Sequence, residues 1–98
     1  NRGIEYLTPL GAPVHSAASG EVTFAGSVAG TLYVVVRTKN GVLVTHGRLT
    51  SAQVSAGDRV SAGFRIGTSS GGLYIGVSDW VHISIQRLAR RQQKTQAG

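Results

Sequence analysis

Glycine sets the grain of this chain: fourteen of its 98 residues are glycine, spaced at short intervals between brief apolar runs. Helices of ordinary length do not tolerate such punctuation, because an interior glycine costs roughly 1 kcal/mol relative to alanine. Short strands joined by tight turns do, since turns use the positive φ that glycine adopts without steric cost. Glu21 to Val28 alternates in part, which predicts a strand with Val22 and Phe24 on one face. Thr31 to Thr38 is β-branched and aromatic, the composition of a strand buried on both sides. Lys39-Asn40-Gly41 follows, where Asn-Gly favours a type I′ turn, and Val42 to Leu49 returns as the hairpin partner.

Beyond Leu49, turns at Gly57-Asp58 and Ala62-Gly63 separate Val54, Val60, Phe64 and Ile66, as at the corner of a small barrel or sandwich. Leu73 to Val77 predicts another short strand, and only Ile85 to Gln93 has helical spacing. The expected class is all-β, a small antiparallel sandwich or barrel with a short C-terminal helix. No linker or repeat divides the chain, and its length suits one domain, expected over residues 1–88 with a basic tail over 89–98.

The longest apolar run, Leu32 to Val36, is strand length, far short of the roughly 20 residues a membrane helix needs. No signal peptide is visible, and the segment reads as one domain cut from a longer precursor. Cysteine is absent, which removes disulfides, thiolate metal sites and thiol nucleophiles together. Net charge is +6, with Arg87, Arg90, Arg91 and Lys94 in the tail. Such a balance favours anionic partners. Six aromatics without basic-aromatic alternation argue against nucleic acid.

Five segments, in order, carry a resemblance. They are Asn1-Arg2-Gly3-Ile4-Glu5, Pro9-Leu10-Gly11-Ala12-Pro13-Val14, Ala17-Ala18-Ser19-Gly20-Glu21-Val22 with Phe24-Ala25-Gly26, Val54 to Gly67, and Leu73-Tyr74-Ile75-Gly76-Val77. In that order they resemble the LytM/lysostaphin zinc endopeptidases, peptidase family M23, which cut peptide cross-bridges in bacterial peptidoglycan. The likeness runs from Asn1 to about Leu88. It implies an all-β fold of the LytM type and a bacterial, extracytoplasmic setting at the cell envelope.

The same resemblance assigns sites. The family's opening His and Asp and the second His of a His-x-His pair bind zinc, and these positions fall on Asn1, Glu5 and Tyr74 here. The catalytic positions, the first His of that pair and a lone His before a Leu, fall on Gly72 and His46. Peptide hydrolysis by zinc needs about three protein ligands and an open position for water. An amide, a lengthened carboxylate and a phenol are poor replacements, and Gly72 carries no side chain. The implication is a pseudoenzyme with no catalytic residue, metal or cofactor.

The expected role is therefore that of a regulator, activator or scaffold of peptidoglycan hydrolases in cell division and wall remodelling, or of a peptidoglycan binder. Its partner would be a hydrolase, another divisome or cell-wall protein, or peptidoglycan itself. It would meet the former substrate groove at Glu5, His46, Tyr74 and Trp80. Blander readings stand beside these: His46 as a strand histidine, Trp80 as the cap of a barrel end, Tyr6, Tyr33 and Tyr74 as structural strand tyrosines. His15 and His82 lack the spacing to rebuild a metal site with His46. Two other functions compete: an M23-type zinc peptidase that retains metal, and a biotinyl or lipoyl carrier. The carrier reading draws on Val54 to Gly67 and on Lys39 at a hairpin tip, but has no place for the segment from Arg2 to Val14.

Overall fold

The computed structural model describes residues 2–79. They form seven strands: β1 (Arg2–Leu7), β2 (Pro13–His15), β3 (Gly20–Val28), β4 (Thr31–Arg37), β5 (Val42–Ala52), β6 (Arg59–Val60) and β7 (Arg65–Asp79). The expected all-β antiparallel class holds. The strands hydrogen-bond as one sheet in the order β1-β7-β5-β4-β3-β6, with β2 also paired to β7. The expected C-terminal helix and basic tail, with Trp80 and His82, lie outside the described residues, as does Asn1.

The expected strand at Leu73 to Val77 is the second half of a 15-residue strand. The first half of β7 pairs β2 and the end of β5, and the second half pairs β1 and the start of β5. Glycine explains why only the second half read as a strand. Gly71 sits at φ 109 within it, where the ladder to β5 jumps from Tyr74 to Ser69.

One face of the sheet is sealed by Val14, Val22, Val34, Val36, Leu49, Val54, Val60 and Ile66. Each such side chain contributes about 1.5–3 kcal/mol by leaving water. In β4, Val34 and Val36 are fully buried while Tyr33 and Val35 are only half-buried, so the strand expected to be buried on both sides has one partly open face. Val22 and Phe24 do not share a face either. A bulge at Thr23 leaves Val22 in the core and turns Phe24 outward.

The turns also differ from expectation in an instructive way. Gly41 N–H donates to Thr38 O and only Gly41, at φ 83, is left-handed, so the loop is a three-residue turn closed by a glycine bulge. The type I′ signature, two successive positive φ values, belongs to Ala29 (φ 51) and Gly30 (φ 82) between β3 and β4. Pro9-Leu10-Gly11-Ala12, Ser55-Ala56-Gly57-Asp58 and Ser61-Ala62-Gly63-Phe64 each close with a backbone hydrogen bond and place glycine third at positive φ. That is the geometry a type II turn demands.

Candidate functional site

On the face opposite the core, register alone assembles a row. Glu5 of β1 pairs with Tyr74 of β7, Tyr74 with Gly47 of β5, and Gly47 with Tyr33 of β4. The Tyr74 ring lies over Gly3 and Gly76, where a Cβ on either glycine would overlap the ring or its hydroxyl. Gly47 is the seat between the two tyrosines: a Cβ there would stand 2.9 Å from Tyr33 Cε1 and 3.4 Å from Tyr74 Cδ2. Three glycines on three strands thus make a floor under the Tyr74 ring, with Tyr33 beside Gly47. Tyr6, next to Glu5 in β1, alternates to the other face, so Tyr33 and Tyr74 but not Tyr6 line this surface.

Arg48 supplies the charge. It is the extra residue where β5 breaks register between Gly47 and Leu49, and its φ is +65, a conformation that non-glycine residues rarely adopt. That bulge sends the side chain towards β1. Its Nη2 lies 3.0 Å from Glu5 Oε2 and its Nη1 lies 3.4 Å from Glu5 Oε1. The guanidinium also passes Gly72: a Cβ there would stand in ordinary contact with it, 3.6 Å from Arg48 Nη1. Glu5, Gly72 and Tyr74, three of the positions singled out in the sequence, therefore converge around one residue that was not. A signal for it existed. Read back from Leu49 without extra residues, His46-Gly47-Arg48-Leu49 lies on the family's Tyr-x-His-Leu with Arg48 at the histidine.

His46 is not part of this surface. It was expected in the groove or half-exposed, but it pairs with Val34 and Ile75, points into the core and has no exposed area. Val34 O can only accept, so the 3.1 Å contact to Nδ1 fixes the proton there. Nε2 then accepts the Ala17 N–H at 3.0 Å. Burial lowers its pKa from the ordinary 6.5, against a smaller upward pull from the Val34 carbonyl. The imidazole is a neutral pin between the sheet and the chain entering β3, with no nitrogen left for a ligand. His15 stands exposed on β2, apart from it.

The arrangement can offer a ligand two phenol rings on either side of Gly47 and a guanidinium whose tether to Glu5 is exposed. Exposed ion pairs of this kind contribute little, so exchange of Glu5 for another carboxylate is nearly free. Nothing in the row supplies a buried general base.

The comparisons agree with this topology. The sequence profile described as peptidase family M23 matches residues 1–95. The cell division protein DipM of Caulobacter vibrioides is 33% identical over 70 residues, covering 69% of this chain and 12% of DipM. This chain therefore spans a small part of that relative's length. Among solved structures, lysostaphin superposes with a TM-score of 0.73 at 24% identity, covering 79% of this chain and 36% of lysostaphin. Helicobacter pylori Csd3 gives 0.71 at 28% identity, over 79% of this chain and 23% of Csd3.

Proposed function

This chain belongs to peptidase family M23, and from that premise we propose that it is a member without peptidase activity, one that binds through the surface on which its relatives cut. Domains of the family act at the peptidoglycan wall, outside the cytoplasm, and its similarity to DipM adds a cell-division context. The role we assign is regulation, activation or scaffolding of a wall hydrolase, or direct binding of peptidoglycan.

The observation that carries the reading is the Arg48–Glu5 pair. A zinc ion at the family's site needs a free carboxylate at position 5 and a basic imidazole beside it. Here both carboxylate oxygens of Glu5 face the guanidinium of Arg48. The same guanidinium passes the residue that corresponds to a catalytic histidine, Gly72. A divalent cation would have to displace Arg48 and then endure its charge a few ångströms away. The third correspondence, Tyr74, brings a phenol whose reference pKa near 10 keeps it protonated at neutral pH. These residues do not fit zinc.

What remains is a binding face. Tyr33, Tyr74 and Arg48 are residue types that dominate protein interfaces, because rigid aromatic area and a forked donor lose little freedom on docking. The experiment measures wall hydrolysis twice. Purified domain alone should release no product from peptidoglycan and hold no equimolar metal by elemental analysis. Added to a wall hydrolase of the same bacterium, or to sacculi in a pelleting assay, it should raise hydrolysis or co-sediment, and Tyr74→Arg should reduce either effect. Metal-dependent cleavage by the domain alone would overturn the proposal.

A further inference from the structure

At the opposite edge of the sheet from β1, β3 meets β6 and β4, and a second cross-strand row forms there: Arg59 pairs with Glu21, and Glu21 with Arg37. Glutamate between two arginines leaves the row with an excess positive charge. Arg37 Nη2 holds Glu21 Oε1 at 3.0 Å. Two residues further on, the turn after β4 adds Lys39. These residues line an open cleft of about 820 Å³ that also takes in Ser19, Thr38, Asn40 and the backbone of Gly20 and Gly41.

The hydrogen-bonding inventory of that cleft leans towards donors. Ser19 Oγ accepts the Ala62 N–H at 2.8 Å, and Thr38 Oγ1 accepts the Val42 N–H at 3.2 Å. Each hydroxyl has spent acceptor capacity inside the protein and keeps a proton to donate. Asn40 adds amide donors, and Arg59 and Lys39 add charged ones. Glu21 is the one carboxylate in the lining, and Arg37 already engages it. Asp58, next to Arg59, is turned to the Ser55 N–H at 2.9 Å and does not line the cleft. A wall made of guanidinium, ammonium, hydroxyl and amide donors suits an oxyanion with several acceptor oxygens and more than one charge.

We propose that this cleft is a phosphate-binding site, with Arg59 and Lys39 as its principal contacts, separate from the tyrosine surface. A single carboxylate would satisfy few of these donors, whereas a phosphate presents oxygens on all sides. The inference does not depend on the role assigned to the family surface, because it uses neither Arg48 nor the tyrosines.

The test is a titration of isotope-labelled full chain with inorganic pyrophosphate, followed by amide chemical shifts at constant ionic strength. Shifts should concentrate at Ser19, Gly20, Lys39, Gly41 and Arg59 and saturate. Lys39→Ala and Arg59→Ala should each weaken binding at least threefold, and the double variant at least tenfold. Arg65→Ala, a basic residue outside the cleft, should leave it unchanged. Folding of each variant is checked by its own amide spectrum, and both substituted side chains are exposed. A second arm replaces pyrophosphate with phosphatidylglycerol vesicles. Co-sedimentation lost in the double variant would name a lipid headgroup as the source, and its absence beside a positive titration would name a soluble phosphate. Shifts scattered over all basic residues, or equal binding by the double variant, would overturn the site.

Discussion

Arg48 reaches across strand β7 to Glu5, so that a residue of β5 and a residue of β1 are joined at 3.0 Å over the strand that separates them. The bridge is possible because Arg48 takes a left-handed conformation at a register break, and its guanidinium passes Gly72 of β7 on the way. Left-handed backbone costs a non-glycine residue about 1–2 kcal/mol. An exposed ion pair returns at most about 1 kcal/mol. The conformation is held by the bulge rather than by the pair it makes, which keeps the guanidinium available to other carboxylates.

Rebuilding the family's ligands separates the two cations. A chain with Asn1→His, Glu5→Asp, Gly72→His and Tyr74→His should still take up little zinc while Arg48 is present. Adding Arg48→His should raise affinity by tenfold or more, read by competition with a zinc-sensitive dye. Equal affinity with and without Arg48 would show that the guanidinium does not compete for the site.

Ala29 pays for its turn where Gly30 does not. Both have positive φ between β3 and β4, but only Ala29 has a Cβ to strain. Ala29→Asn should stabilise the domain by about 0.5–1 kcal/mol, since asparagine enters the left-handed region more readily. In a domain of this size that amounts to roughly 2–8 °C in melting temperature by calorimetry. A fall in melting temperature would mean that Ala29 is held by something other than turn geometry.

His46 couples stability to acid. Its folded pKa lies below the ordinary 6.5 because burial disfavours the cation. The unfolded chain therefore takes the proton first as pH falls. The contribution is complete above about 6.5 and is lost as pH drops from there through the folded pKa. Protonation at Nε2 also removes the acceptor for the Ala17 N–H. Between pH 8 and pH 5 the native domain should lose more melting temperature than His46→Gln, which does not titrate. Parallel losses in the two proteins would remove His46 as the cause.

Gly3→Ala should act through Tyr74. The added methyl overlaps the phenol ring, so the ring must leave its seat. We expect a loss of about 1–3 kcal/mol, the range for overpacking, and a clear reduction of that loss in a Tyr74→Ala background. Denaturant melts of the four proteins give the coupling, and a value near zero would place the cost elsewhere in β1.

Much of this architecture was legible because it is written in local chemistry. Glycine spacing located the turns and β-branched runs located β3, β4 and β5, each within a few residues. What escaped depends on register. A bulge adds one residue without any marker in composition, and it was bulges at Thr23 and Arg48 that turned Phe24 outward and brought Arg48 to the site. The type of the Asn40-Gly41 turn was missed for a related reason: loop length, not the dipeptide, selects the turn. Glu5, Gly72 and Tyr74 were found by resemblance and do come together. His46 was placed by its residue type; it stands two residues before Arg48, and only the register break between Gly47 and Leu49 lets Arg48 reach the surface while His46 stays in the core.

The floor under Tyr74 has a further consequence. Gly3, Gly47 and Gly76 belong to β1, β5 and β7, and the ring rests where all three coincide. A slip of one residue in β1 or β5 would bring a side chain under the ring and lift it. Tyr74 is therefore a gauge of alignment among three strands: its ring environment, followed by aromatic proton shifts, reports whether the sheet has closed in its native frame.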